Sequence, residues 1–184
     1  MKVLNYGSLN VDYVYSVDHI IVGGETQHSS KLEVFSGGKG LNQSIALAKA
    51  GVPVYHAGIV GTDGDILLEA CKEAGVNPKY IRRLPVKGGH TMIQVDKNAQ
   101  NCIILYGGTN QMHTKEFVDE VLADFGEGDY LMLQNEINML DYIIDQAYEK
   151  KMKIVMNPSP FDDKLSTCDL SKVYLFLVNE IEGE

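Results

Sequence analysis

The sequence contains no tryptophan, only three cysteines and only five prolines among its 184 residues. Cys71, Cys102 and Cys168 are odd in number and have neither CxxC nor metal-ligand spacing. This usage argues against a disulfide framework and predicts a reducing, cytoplasmic location. No run of 18 or more apolar residues occurs, and the N-terminus enters an apolar strand directly. We therefore expect neither a membrane span nor a signal peptide.

Positive charge is also scarce. The chain has 16 Lys and Arg residues against 25 Asp and Glu residues, which gives a formal net charge of -9 at pH 7. Binding to nucleic acid requires a basic face, so this balance argues against a nucleic-acid partner. With 45% hydrophobic and 22% charged residues, the composition predicts one globular domain, residues 1–184, with a sizeable core.

Glycine, in contrast, is concentrated in the stretch Ser36-Gly37-Gly38-Lys39-Gly40-Leu41-Asn42-Gln43. Apolar residues follow it at helical spacing and Gly51 provides a stop, which predicts a helix over about 38–50. Glycines at a helix start let a ligand approach bare backbone, and free N–H groups there favour oxygen-rich or anionic partners such as a polyol. A flexible turn that only connects a strand to the helix is the alternative. The stretch is neither a Walker A loop nor a GxGxxG motif.

Strands and helices alternate along most of the chain. The predicted strands are 2–6, 54–60, 130–133, 154–156 and 173–178, and the predicted helices are 38–50, 65–74, 114–125 and 139–151. This order predicts an α/β fold with a doubly wound, mostly parallel sheet. Two β-rich excursions, about 13–35 and 88–107, do not fit that sheet and predict a small antiparallel β lid beside it. The predicted lid strands are 13–15, 19–22, 31–35, 91–95 and 102–106.

Several polar residues fall after predicted strands, where ligand sites of open α/β sheets lie. They are Asn10, Asp12, Glu136, Asn157 and Asn179. One such residue is usually a turn former or a helix cap. Asn10 and Asp12 are two positions apart, however, and an extended chain places both side chains on one face. Together with the glycine-rich helix start, the set predicts a site for a polar ligand.

The motifs resemble those of the ribokinase and PfkB-type carbohydrate kinase family. Residues 7–12 are similar to its GSxNxD motif and residues 37–43 to its GGKGxNQ signature. Weaker matches are residues 23–26 to PGET, 107–110 to GxN, 157–160 to NPxP and 179–182 to NxxE. They follow the family's order over essentially all 184 residues.

The resemblance implies a ribokinase-like fold and an ATP-dependent kinase that phosphorylates the primary hydroxyl of D-ribose or of another sugar, such as fructose. It assigns sugar binding to Asn10, Asp12, Gly38, Lys39, Asn42, Thr91, Leu105 and Glu136. Thr91 and Leu105 would belong to the lid, which in the family also pairs two subunits. Asn179 and Glu182 would serve ATP and Mg²⁺, with Glu182 nearest the metal. A monovalent cation such as K⁺ is a further candidate.

One family motif does not occur. The catalytic base of these kinases lies in a GAGD motif well after NxxE, and the 184 residues contain no GAGD. We therefore expect the C-terminal part of the fold to be missing, no catalytic residue in this chain, and no turnover by it alone. The alternative is a non-catalytic module for sugar binding or subunit pairing. A doubly wound oxidoreductase is disfavoured because the first βα turn lacks GxGxxG.

Overall fold

The computed structural model describes residues 1–180, which form two β-sheets and four α-helices. The strands in chain order are β1 (Val3–Tyr6), β2 (Asn10–Ser16), β3 (Lys31–Gly37), β4 (Val54–Val60), β5 (Asn77–Arg83), β6 (Gly89–Val95), β7 (Asn101–Tyr106), β8 (Tyr130–Gln134), β9 (Lys153–Asn157) and β10 (Leu175–Phe176). The helices are α1 (Lys39–Lys49), α2 (Asp65–Ala74), α3 (Lys115–Leu122) and α4 (Leu140–Glu149).

The larger sheet has six parallel strands in the order β10-β9-β8-β1-β4-β5. Its two faces are covered by different helices, because its buried strands carry apolar side chains on both sides. Leu41 of α1 and Leu67 of α2 belong to one buried cluster. Phe117 of α3 and Ile143 of α4 belong to the other. The predicted doubly wound, mostly parallel α/β sheet is thus confirmed.

The smaller sheet, called the lid sheet below, has four strands in the order β3-β2-β6-β7. Its outer pairs are antiparallel, but the central pair, β2 and β6, is parallel. Both central strands start at the same level, with Asn10 beside Gly89, and run in the same direction. The lid is therefore a mixed sheet, and the prediction of a purely antiparallel lid was wrong in this respect.

Prediction and structure differ at three strands. Residues 19–22 form no strand, because side chains occupy their backbone N–H groups: Ile21 donates to Gln94 and Val22 to Glu25. The predicted last strand, 173–178, is reduced to β10. The edge strand β5 was not predicted, since its largely polar sequence lacks an apolar alternation. Among residues 1–180, no helix is both long enough and apolar enough to cross a membrane.

Candidate functional site

A cleft of about 320 Å³ lies between the lid sheet and the start of α1. All eight residues assigned to sugar binding by resemblance line it: Asn10, Asp12, Gly38, Lys39, Asn42, Thr91, Leu105 and Glu136. Asp12, Thr91 and Leu105 form a row across three neighbouring lid strands. Ile93, Ile103 and Pro160 complete the lining and were not predicted. The structure therefore brings together predicted sugar-binding residues that are up to 126 positions apart in sequence, from Asn10 to Glu136.

Glu136 is the anion at the start of α1. It follows β8, and its carboxylate accepts hydrogen bonds from the Lys39 ammonium and from the Lys39 backbone N–H, each at 2.9 Å. The Ser8 hydroxyl donates to the same carboxylate. A carboxylate at a helix N-terminus is stabilised by the helix dipole. The Glu136 side chain is only 8% exposed, so the carboxylate is largely shielded from water, whereas its partner Lys39 is 40% exposed.

The first N–H groups of α1 are used by the protein itself. Besides Lys39, Gly40 donates to the Ser8 hydroxyl at 3.1 Å and Leu41 donates to the Ser8 carbonyl at 3.0 Å. The expectation of free backbone donors for an oxygen-rich ligand was therefore wrong. The side chains of this turn, above all Lys39, face the cleft instead.

Glycine is needed in this turn for close packing of backbone on backbone. A Cβ on Gly40 would lie 2.4 Å from the Ser8 backbone nitrogen, and Gly38 has a φ of 94°. Residues with a side chain rarely adopt the φ of Gly38, and the backbone atoms beside Gly40 cannot move aside at low cost. The close approach inferred from the sequence is real, but the approaching group is the β1–β2 connection.

Asp12 is held between two neighbours. Its Oδ1 accepts a hydrogen bond from the Thr91 hydroxyl at 2.6 Å. Its Oδ2 occupies the space beside Gly37, where a Cβ would lie 1.9 Å away. Burial raises the pKa of Asp12, the Thr91 hydrogen bond opposes that rise, and the negative charge of Glu136 adds to it. The carboxylate is thus a fixed and partly desolvated acceptor.

A buried polar layer beneath the cleft supports the first turn of α1. The Asn5 amide donates to the Gly40 carbonyl at 2.7 Å and to the Ser44 hydroxyl at 2.9 Å. Gln134 donates to Asn5 at 2.8 Å, and Ser44 lies 2.7 Å from His56. Burial lowers the pKa of His56 to about 4, so this imidazole is neutral near pH 7. No sequence motif had marked these residues.

The remaining predicted polar residues lie apart from the cleft lining. Asn157 ends β9 and stabilises the turn that follows, because its side-chain oxygen accepts from the Ser159 N–H. Its Nδ2 group donates to the Leu177 carbonyl. Asn179 is not among the lining residues, and Glu182 lies outside the described residues. Within residues 1–180, no group of three His, Cys, Asp or Glu side chains could hold a metal ion.

Comparison with known proteins identifies relatives along the whole chain. The model of the pfkB family carbohydrate kinases matches residues 1–184. A Staphylococcus aureus protein described as ribokinase is 33% identical over 189 aligned positions, covering all of this chain and 62% of its own length.

Solved structures agree with that match. A Thermotoga maritima ribokinase superposes with a TM-score of 0.86 at 30% identity, covering 98% of this chain and 60% of that one. A Cryptococcus neoformans ribokinase in complex with ADP gives 0.84 at 30% identity, covering 98% and 59%. The chain therefore spans about three fifths of the length of these relatives. It belongs to the pfkB family of carbohydrate kinases.

Proposed function

We propose that this chain is the sugar-binding and lid portion of an ATP-dependent kinase that phosphorylates the primary hydroxyl of D-ribose. One observation carries the proposal: all eight residues that the family resemblance assigns to the sugar line a single cleft. They come from three lid strands (β2, β6 and β7), from the start of α1 and from the segment after β8. Their convergence is a property of the fold and not of any one motif.

The chemistry of the cleft suits a polyol. Asp12 provides a carboxylate that accepts hydrogen bonds from hydroxyl groups, and Lys39 provides an ammonium that donates them. Ile93, Ile103 and Leu105 form an apolar wall on the lid side. Such a wall can cover the carbon face of a sugar ring and exclude water when the lid closes.

Ribose is the sugar we favour because the relatives described above carry the name ribokinase. Fructose or another sugar of similar size is the alternative, since the same donors and acceptors can serve other arrangements of hydroxyls. A site that bonds each hydroxyl rejects sugars that lack one of them, so a set of epimers and deoxy sugars would discriminate these possibilities.

ATP is proposed as the phosphoryl donor, with Asn179 and Glu182 near the nucleotide and Glu182 nearest Mg²⁺; K⁺ remains a further candidate. Mg²⁺ would neutralise charge on the phosphates. Within this chain, Lys39 and Asp12 would hold the sugar. The 184 residues contain no GAGD motif, so we assign the base to no residue here. A cytoplasmic location and a homodimer through the lid strands complete the proposal.

The test measures binding and turnover on the same preparation. We expect calorimetry to detect ribose binding by the 184-residue chain, and a coupled assay with Mg²⁺ and ATP to detect no ribose-dependent ADP formation. Asp12→Asn is the control for binding in the cleft. If Asp12→Asn leaves ribose binding unchanged, the sugar does not bind in this cleft. Robust turnover by the chain would contradict the proposal that it contains no catalytic base.

A further inference from the structure

A buried amide at the base of the lid sheet contacts one of the cleft residues. Asn110 lies in a short 3₁₀ helix, Gly108–Gln111, soon after β7, and it is 1% exposed. Its side chain reaches the start of β2, where it bonds Leu9 and Asn10 across about 100 positions of sequence. The GxN motif contained this residue, but neither the motif nor its neighbours indicated a partner.

The backbone determines which way the Asn110 amide points. The Leu9 N–H can only donate, so the Asn110 atom 3.0 Å from it must be the side-chain oxygen. The other arm of Asn110 is therefore the Nδ2 group, which can only donate. It lies 2.7 Å from the Asn10 side chain and 3.4 Å from the Leu9 carbonyl, an obligate acceptor. The N–H and the carbonyl of Leu9 thus require the same orientation of the Asn110 side-chain amide.

The same reasoning extends from Asn110 to the cleft. Since Asn110 donates, the Asn10 atom that meets it must be the side-chain oxygen. Asn10 is 3% exposed and lines the cleft, so its second arm, the Nδ2 donor, is the one left for a ligand. The reverse orientation would place two NH₂ groups against each other in a buried site, which is costly.

We propose that Asn110 is a positioning residue that gives the cleft its polarity, holding Asn10 so that its amide donates to the ligand while Asp12 accepts from it. The inference rests on the proposed function, because it concerns the same cleft. Asp12 lies two positions further along β2 and is fixed by the Thr91 hydroxyl at 2.6 Å. The start of β2 therefore presents a donor, the Asn10 amide, and then an acceptor, the Asp12 carboxylate. This order matches two neighbouring sugar hydroxyls, of which one accepts a hydrogen bond and the next donates one.

Two variants of Asn110 test the positioning role. Asn110→Asp keeps an oxygen for the Leu9 N–H but removes the donor to Asn10, and Asn110→Leu removes both functions at similar volume. The matched control is Thr109→Val, because Thr109 is equally buried and its hydroxyl donates to the Ile59 carbonyl at 2.7 Å without contacting Asn10. All three variants lose buried hydrogen bonds and should melt at lower temperature.

Ribose affinity then separates positioning from stability. In calorimetry on the 184-residue chain, we expect about tenfold weaker binding in both Asn110 variants and a change within about twofold in Thr109→Val. If the three variants lose affinity only in proportion to their melting temperatures, Asn110 has a structural role alone and the inference is overturned. Should one Asn110 variant fail to fold, the other gives the same comparison.

Asn10 provides an independent readout of polarity. Asn10→Asp still accepts from Asn110 but presents an oxygen to the cleft in place of Nδ2, so ribose should bind at least about tenfold more weakly. In nitrogen-15 spectra of the parent chain, the side-chain N–H pair that disappears in Asn10→Asp should shift when ribose is added. Unchanged or tighter binding by Asn10→Asp overturns the inference.

Asp12→Asn distinguishes the two possible failures. If Asp12→Asn weakens ribose binding but the Asn110 variants do not, the sugar site stands and the positioning role is wrong. If the parent chain shows no binding at millimolar ribose, the proposed function and the inference fall together.

Discussion

Asp12 combines a functional position with an unfavourable environment. Burial raises its pKa, so the ionised form is less stable in the folded protein than in the unfolded chain at neutral pH. We predict that Asp12→Asn weakens ribose binding roughly ten- to a hundredfold, because a charged acceptor contributes more than a neutral one. The melting temperature should stay the same or rise. Asp18→Asn is the control, since Asp18 is exposed outside the cleft.

The raised pKa of Asp12 also predicts how ribose affinity depends on pH. The ionised carboxylate is the acceptor, so affinity should fall as the pH falls through the pKa of Asp12, above the ordinary value of 3.8. Burial, the Thr91 hydrogen bond and the negative charge of Glu136 set this midpoint. Calorimetry between pH 4 and 8 should show the decline in the parent chain and a much flatter profile in Asp12→Asn. Equal profiles would contradict the assignment of Asp12 as acceptor.

Individual cleft residues could be predicted because the family motifs are local and each carries its own chemistry. Lys39 and Asn42, for example, lie within one contiguous glycine-rich stretch. The supporting residues could not be predicted in this way. Ser8 meets Glu136 across 128 positions and Asn110 meets Asn10 across 100. Such pairs depend on how strands are ordered in the sheet, which a single sequence does not display.

At the scale of elements, the start of α1 has little room for an added side chain. Gly40 packs against the β1–β2 connection so closely that an added Cβ would contact backbone at 2.4 Å. We predict that Gly40→Ala lowers the free energy of unfolding by about 2–3 kcal/mol, as overpacking of a rigid site does. Gly126→Ala, with nothing within 4 Å, should change it by less than about 0.5 kcal/mol. Urea unfolding of the two variants makes the comparison, and similar losses would show that α1 can shift.

Most elements of the larger sheet were predictable because their patterns are long and unambiguous. The predicted helix 38–50 and the observed α1 differ by one residue at each end, and β4 was predicted with the bounds it has. The failures share a physical cause. Residues 20–22 are apolar, but the Ile21 N–H donates to the Gln94 side chain, and β5 is largely polar but pairs with β4. In both cases the long-range partner, and not the local pattern, decides the conformation.

At the scale of the whole molecule, the lid sheet exposes far more apolar surface than a solvated flap needs. Eight large apolar residues of β3, β6 and β7 are each at least 42% exposed: Leu32, Val34, Phe35, Met92, Ile103, Ile104, Leu105 and Tyr106. They lie on both faces, since Leu105 lines the cleft and the next side chain along the strand points away from it. The outer strands of the lid sheet, β3 and β7, also have an edge that pairs with no other strand among the described residues. Contiguous surfaces of this kind usually mark an interface.

We predict that two copies of the chain associate through their lid sheets. Sedimentation equilibrium at tens of micromolar should give about twice the chain mass of 20.3 kDa. Ile104→Glu and Phe35→Glu place a charge on opposite faces of the lid sheet, and at least one of them should sediment as a monomer because burying an unpaired charge is costly. Tyr148→Glu, at an exposed position on α4, is the control and should remain dimeric. If the parent chain sediments as a monomer at high micromolar concentration, the prediction of a homodimer is wrong.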